Sequence, residues 1–323
     1  MKNVVLSIII VHYKTRDLTL QCLRSILEFR PRSSYEILLI DNGSQDGIGE
    51  VLAEDFPEVH LIETGRNDGF SQANNLGIVN AQGKHILLLN SDTKIIEPVF
   101  DRLLHAIDAS PEIGCVGPQH VDGRGRHQVS YGAFPSLGSE FLRKIVDYRI
   151  ALNDPNIRGY LTEFCSQQQE VDWLSGSCLL LRREALKQAG LLDEAFFMYF
   201  EDTDLCKRIR DRGWRVVFFP ATRIIHYSGQ SVKKNILEGL VAYRQSQIHF
   251  ARKHYGRSGD YLVRSLLFLK FGAIGLRSIL AFLWNKALRR KTQEAYAKML
   301  LAKKVMELIF QHNRMRPHEP VLC

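Results

Sequence analysis

Residues 85–93 read HILLLNSDT, a short apolar run closed by Asn90 and followed at once by Ser91, Asp92 and Thr93. A brief uncharged run bounded by polar residues reads as a buried strand. The same reading applies to VVLSIIIV (4–11), EILLID (36–41) and VHLIE (59–63), and between the runs lie amphipathic stretches such as LTLQCLRSILEF (18–29) and SQANNLGIVNAQ (71–82). Strands alternating with helices predict an α/β fold with a parallel sheet joined by right-handed crossovers. In such sheets ligands bind beyond the carboxyl ends of the strands. The residues there are HYK, DNGSQDG, GRNDGF and NSDT in turn, a polar set that predicts a site built from strand ends.

The wider composition agrees. In 323 residues, 45% hydrophobic and 24% charged, there is material for one large or two modest domains with a real core, which excludes global disorder. No uncharged apolar run approaches the roughly 18 residues of a spanning helix, so a polytopic membrane protein is not expected. VVLSIIIV is short, rich in β-branched residues and leads into HYKTRD without a small-residue cleavage site, so it reads as a strand rather than a signal peptide. The six cysteines (Cys22, Cys115, Cys165, Cys178, Cys206, Cys323) have no CxxC spacing, which argues against a disulfide framework or zinc cluster and for a reducing, cytoplasmic compartment.

Charge is unevenly placed. Residues 1–250 hold 28 Lys/Arg against 31 Asp/Glu, whereas residues 251–323 hold 15 against 4, so the net +8 comes from the C-terminal end. That asymmetry predicts a basic segment facing something anionic. No zinc-finger spacing or aromatic RNA-binding motif accompanies it, so nucleic acid is not the expected partner and a lipid surface is. Two phosphate-binding motifs fail on inspection. The loop after the second strand carries Gly43, Gly47 and Gly49 in the wrong pattern for a dinucleotide fingerprint, and GIVNAQGKH (77–85) has one residue too many for a P-loop and lacks its Ser/Thr.

Asn90-Ser91-Asp92 places a carboxylate where a metal-bound phosphate would sit. Magnesium or manganese takes a few hard oxygen ligands and completes its shell with substrate phosphates, so one protein carboxylate can suffice. The alternative is an Asx-type turn. After a loosely patterned stretch from about residue 114 to 172 comes a second informative block, 171–231. There Glu201, Asp202 and Asp204 open a predicted helix that Gly213 ends, with Leu205, Cys206 and Ile209 on its buried face. A carboxylate at a helix mouth is favoured in its ionised form and suits acceptance of a proton from an alcohol; acids there also serve as caps. His226 follows another apolar run, where a structural histidine is the competing reading.

Together, VVLSIIIVHYKTRDLTLQCLRSI, ILLIDNGSQDG, GRNDGFSQANNLGI, ILLLNSDT, DWLSGSCLLLRREAL and FMYFEDTDLCKRIRDRGWRVVFFP with IIHYSGQS resemble a family 2 inverting glycosyltransferase, nearest to the rhamnosyltransferase-like enzymes of bacterial surface polysaccharide assembly. The likeness spans roughly residues 4–231. It implies the A-type glycosyltransferase fold, a Rossmann-like mostly parallel sheet flanked by helices: a nucleotide-sugar-binding half (1–115), an acceptor-binding and catalytic half (116–250) and a basic amphipathic helical extension (251–323). It further implies that Val11 and Tyr13 border the nucleobase, with Asp41 bonded to its imide edge. Arg66, Asn67, Gly69 and Asn74 would lie near ribose and diphosphate, with Asn90 and Ser91 beside the donor. Mg2+ or Mn2+ would rest on Asp92 with His226, although the metal motif departs from the family pattern in opening on asparagine. Trp173, Ser175, Gly176 and Glu201 would border the acceptor, and Asp202 would be the base.

The implied reaction moves a sugar, rhamnose from dTDP-rhamnose being the best fit, to a hydroxyl of a lipid-linked glycan. The alternatives are a UDP-sugar donor or an inactive, membrane-bound nucleotide-sugar-binding protein. A nucleotidyltransferase would want a glycine-rich loop after the first strand, which HYKTRD lacks. In the extension, Arg264, Lys270 and Arg277 interrupt the apolar residues 261–284 and leave no stretch free of Lys/Arg longer than the seven residues Ser278 to Trp284, so a spanning helix is not expected. Lys270 and Arg277 share a face, Arg264 lies away from it, and Leu266, Leu267, Leu269, Phe271, Ile274, Leu280, Phe282 and Trp284 supply apolar area ahead of Arg289, Arg290 and Lys291. The expected arrangement is a peripheral, in-plane contact of residues 261–291 with the inner face of the cell membrane, the alternative being packing on the catalytic domain or in a homo-oligomer.

Overall fold

The computed structural model describes residues 4–136, 166–228 and 236–311, with isolated positions between 138 and 159. Cys165, Cys323 and the end of the IIHYSGQS motif (229–231) lie outside the described residues. The chain runs β1 (Leu6–His12), α1 (Arg16–Glu28), β2 (Tyr35–Asp41), α2 (Ile48–Asp55), β3 (Val59–Glu63), α3 (Phe70–Asn80) and β4 (His85–Asn90). All four sequence-read strands are present, with one helix, α2, added inside the glycine-rich stretch. There follow β5 (Thr93–Ile95), α4 (Val99–Asp108), β6 (Ile113–Val121), β7 (His127–Gln128), β8 (Tyr131–Gly132), β9 (Gln169–Glu170), β10 (Trp173–Leu174), β11 (Cys178–Arg182), α5 (Arg183–Ala189), α6 (Glu201–Asp211) and β12 (Arg215–His226).

The main sheet has the order β3-β2-β1-β4-β11-β6-β12-β5. Its first four strands are parallel, as the alternation predicts. β11 then enters antiparallel to both β4 and β6, so the sheet is mixed. That reversal has a consequence for function: it lays the start of β11 beside the end of β4, where Asn90 donates its backbone N–H to the Ser177 carbonyl at 3.0 Å.

Both sheet faces are covered. Leu6, Ile8 and Ile10 of β1 join one buried cluster with Leu20, Leu23 and Ile26 of α1, while Ile9 joins a second with Ala73 and Ile78 of α3. Period-two alternation thus splits one uniformly apolar strand between two cores, and each such side chain contributes about 1.5–3 kcal/mol by leaving water. α3 approaches so closely that a Cβ on Gly77 would fall 2.4 Å from the Ile9 side chain. Cys22, Cys115, Cys178 and Cys206 are free thiols buried in these cores. Burial pushes the Cys22 thiol up to about 12.

β6 lies where the sequence pattern loosens. Gly114, Gly117 and Pro118 disguise a nine-residue strand, and Gly114 is needed there because a Cβ would stand 2.7 Å from the Trp214 side chain.

The chain divides into two units, residues 1–193 with 201–231, and residues 194–200 with 232–323. The second is built on α7 (Ile236–Ala287), broken at Gly256 by a positive φ of 66°, and α8 (Gln293–Phe310). The 194–200 segment packs on the first limb of α7: Ser246 donates to the Met198 carbonyl at 2.8 Å and Phe196 meets His249 edge-on. In the second limb, Leu267 and Phe271 are buried with Ala302, Val305 and Ile309 of α8, so these two residues belong to a helix pair rather than to an outward apolar face. Arg264 is turned inward too, bonding Asp260 and the Leu308 and Ile309 carbonyls at the end of α8.

By length and composition α7 is able to cross a membrane, so composition alone does not exclude spanning as the interruptions by Arg264, Lys270 and Arg277 suggested. Packing argues against it. α8 carries Glu294, Lys298, Lys303, Lys304 and Glu307, and burying its partner in hydrocarbon would draw those charges in at several kcal/mol each.

Candidate functional site

At the carboxyl end of β1, His12 is fully buried between two partners, with Nδ1 2.8 Å from Thr19 Oγ1 and Nε2 3.1 Å from both Asp46 carboxylate oxygens. This ties β1 to the loop after β2. Val11 and Tyr13 flank His12 and are half-buried. Asp41, buried at the end of β2, accepts the Ser44 N–H at 3.0 Å. Asn42, which the sequence reading passed over, is a hub. Its amide donates to Asn67 Oδ1 and the Gly69 carbonyl, while its oxygen accepts the Asp68 N–H and the Thr64 hydroxyl. Gly43 is held at φ 75°, and a Cβ there would meet the Arg66 backbone at 2.6 Å. The DNGSQDG and GRNDGF loops are therefore one interlocked unit containing Asp41, Arg66, Asn67 and Gly69. The Arg66 guanidinium is exposed and paired with Asp68 at 2.6 Å. Asn74 is buried in α3 and bonds the Phe70 carbonyl.

Beyond β4 the chain turns through Ser91 and Asp92 into β5. Ser91 Oγ lies 3.2 Å from Thr15 Oγ1. Asp92 is buried, because Tyr227 and β12 close over it: Tyr227 donates its N–H to the Asp92 carbonyl at 2.9 Å. The pairing of β12 with β5 brings His226 Nε2 to 3.3 Å from Asp92 Oδ1 and 3.5 Å from Asn90 Nδ2. Asn90 Oδ1 is buried without a hydrogen-bond partner. A carboxylate, an imidazole and an unsatisfied amide oxygen thus converge. This donor set fits a hard divalent cation: two ligands of an octahedral ion at about 2.1 Å stand about 3 Å apart. Among the described residues no three His, Cys, Asp or Glu side chains form a protein-only cage, and Mg2+ usually completes its shell with waters and phosphates. His120, unremarked in the sequence, is buried behind His226 with ring centroids 5.7 Å apart and Nδ1 3.3 Å from Ser177 Oγ. Burial, then His226 and His127, hold its pKa well below the usual histidine value.

The third part of the site is the mouth of α6. Asp202 accepts the Gly176 N–H at 3.0 Å on one oxygen and the Thr203 N–H at 2.6 Å on the other. A Cβ on Gly176 would lie 3.5 Å from both Asp202 Cβ and the Phe70 ring, so the α3 N-terminus and the α6 N-terminus meet here. Ser175 and Ser177 hydroxyls are 2.8 Å apart, next to the Asn90–Ser177 backbone bond that joins this loop to the metal-competent corner. Trp173 stands in the small β8–β10 sheet, its indole N–H donating to the Ala133 carbonyl.

Burial raises the Asp202 pKa, against the pull of its hydrogen bonds. Burial, then the Asp202 and Asp204 charges, raises Glu201 well above the ordinary glutamate value. Glu201 Oε2 is buried with no hydrogen-bond partner. Asp204 does not point out of the helix mouth; it is fully buried and paired with Arg208 at 2.8 Å. The three acids read as one cluster are therefore a neutral-leaning glutamic acid, a hydrogen-bonded aspartate and a structural ion pair.

Residues 3–241 match the family described as "Glycosyltransferase like family 2". The chain belongs to that family. Its mixed sheet flanked by helices is the A-type arrangement, and it is a rhamnosyltransferase-like member. The N-acetylglucosaminyl-diphospho-decaprenol L-rhamnosyltransferase of Mycobacterium tuberculosis is 33% identical over 233 residues, covering 68% of this chain and 76% of the relative. The dTDP-rhamnosyl transferase RfbF of Shigella flexneri is 26% identical over 212 residues, covering 64% of this chain and 65% of the relative. Among solved structures, the mannosyltransferase PcManGT from Pyrobaculum calidifontis in complex with GDP-Man and Mn2+ superposes with a TM-score of 0.52 at 16% identity, over 93% of this chain and 85% of that one. GalNAc-T7 with UDP, GalNAc and Mn2+ gives 0.53 at 17% identity, over 80% and 52%. At such identities the likeness is one of fold.

Proposed function

We propose that this family 2 glycosyltransferase inverts the anomeric carbon of a nucleotide-activated deoxysugar, rhamnose from dTDP-rhamnose, in transferring it to a hydroxyl of a lipid-linked glycan during surface polysaccharide assembly. The observation carrying the reading is the meeting of Asp202, held by Gly176, with the Asn90, Asp92 and His226 corner through the Ser177 backbone bond. Donor and acceptor are supported by the names of the two rhamnosyltransferase relatives.

The chain's own residues divide the work. Asp202 takes the acceptor proton as the acceptor oxygen attacks, and its raised pKa makes it a stronger base than a surface aspartate. Neutral Glu201 beside it leaves the negative charge of the pair on Asp202. Val11, Tyr13 and Asp41 receive the nucleobase, and Arg66, Asn67, Gly69, Asn74, Asn90 and Ser91 surround the ribose and diphosphate. Trp173, Ser175 and Gly176 border the acceptor. Asp92 and His226 would hold Mg2+ or Mn2+, which supplies positive charge to the departing diphosphate. A single displacement needs no covalent nucleophile and inverts configuration. We further propose peripheral attachment to the cytoplasmic leaflet through the basic residues Lys286, Arg289, Arg290 and Lys291, all exposed.

The second reading is a uridine-linked donor, because the Asp41 carboxylate accepts equally from thymine and uracil imides. A thermal-shift panel of nucleotide sugars with manganese tests both: a donor at 100 times its Kd stabilises the fold by about 2.7 kcal/mol. Stabilisation by dTDP-rhamnose above the uridine sugars supports the proposal, and the reverse order replaces the donor.

A further inference from the structure

Along the second limb of α7, leucine recurs at every seventh position, Leu262, Leu269, Leu276 and Leu283, and residues 266, 273, 280 and 287 between them are Leu, Ala, Leu and Ala. The spacing alternates strictly between four and three residues over about four heptads, the 3.5-residue period of a coiled-coil seam rather than the broader 3.6-residue stripe of a helix lying on a surface. The opposite side of the limb is already used, through Leu267 and Phe271 against α8. The heptad leucines, by contrast, are 44–68% exposed. With Trp284 and Ile279 beside them they offer an area on the order of the roughly 800 Å² per partner that a stable association buries.

We propose that this seam pairs with the same seam of a second copy of the chain, forming a parallel two-stranded coiled coil. Within residues 262–284 the charges beside the seam favour one direction. In a parallel pair the flanking positions there oppose Ser265 to Lys270, Gly272 to Arg277 and Ile279 to Trp284 of the other copy, with no two like charges facing in that stretch. An antiparallel pair would set Lys270 against Arg277 twice. The parallel arrangement also gathers both copies of Lys286, Arg289, Arg290 and Lys291 at one end, a repulsion that the anionic surface proposed above would offset.

Sedimentation of the full chain at micromolar concentration tests the pairing. The expected result is twice the chain mass, falling to the chain mass in Leu269→Glu/Leu276→Glu, with helix content and glycosyl transfer unchanged because neither position packs in the Leu267–Phe271 cluster against α8 or belongs to the site. In a chain with Cys165 and Cys323 replaced, a Leu276→Cys variant reports direction: facing seam cysteines of a parallel pair should give a disulfide-linked dimer on oxidation that the same chain without the new cysteine does not form. A monomeric full chain, or a dimer indifferent to the double substitution, overturns the proposal. So does a monomer whose binding to neutral phosphatidylcholine vesicles is lost in the double variant, since lipid would then cover the stripe.

Discussion

Asp202 and Glu201 are adjacent yet sit in opposed environments, and their substitutions should differ accordingly. Asp202→Asn keeps the shape of the side chain and one of the two acceptors for the Gly176 and Thr203 N–H groups but removes the basic oxygen, so kcat should fall by about 100 to 10,000-fold with donor affinity intact. In the wild type, kcat should decline as pH falls through a midpoint above the ordinary aspartate range, since the base works only ionised. Glu201→Gln should keep most activity and gain stability. The wild-type carboxyl binds its proton more tightly folded than unfolded, so its contribution is lost as pH rises from the unfolded pKa toward the raised folded one. Melting curves at pH 5 and pH 8 should therefore separate variant and wild type mainly at pH 8, and equal shifts at both would refute a neutral Glu201. Asp92→Ala should abolish metal-dependent binding of the nucleoside diphosphate, His226→Ala should weaken it less, and full activity in excess chelator would remove the metal from the site. These acids stood out as candidates in the sequence because each stands at the edge of a patterned segment, Asp92 just after a strand and Glu201 and Asp202 at the start of a helix; their protonation did not, because it depends on burial contributed by the rest of the fold.

The elements repeat this division. β1 to β4 and α6 were legible because the strands are short apolar runs bounded by polar residues and α6 keeps one helical period from end to end. β6 was not, since close packing against Trp214 demanded glycine where a strand former was expected. Nor were Asn42, His12 and His120 legible as site-builders, for each is held by a partner far off in sequence: Thr64 is 22 residues from Asn42, Asp46 is 34 from His12 and Ser177 is 57 from His120. The only local signal was a polar residue at the end of an apolar run. The interlock of the two loops after β2 and β3 makes a specific prediction: Gly43→Ala forces a Cβ into the Arg66 backbone and strains a positive φ, so it should raise the donor KM more than it lowers kcat. Steady-state kinetics at varied donor decide it, and an unchanged KM would mean that the loops accommodate the methyl group without moving the nucleotide site.

At the scale of the molecule, net charge foretold a basic extension, whereas its helix pairing came only from the structure, because Leu267 and Leu266 are identical in sequence and opposite in burial. Charge reversal at Arg289, Arg290 and Lys291 should release the chain from anionic vesicles, with attachment weakening as salt rises, each basic residue contributing on the order of 1 kcal/mol. Pelleting that ignores both salt and the substitutions would place the anchor elsewhere. The four buried thiols lend themselves to a separate use. Cys22, Cys115, Cys178 and Cys206 all lie in the sheet-containing unit, and residues 232–311 contain no cysteine. With Cys165 and Cys323 replaced, the chain becomes a clock for its own opening: a thiol-reactive dye is excluded until the sheet unfolds, is blind to fraying of the helical unit, and should be slowed by any nucleotide sugar that binds at the strand ends.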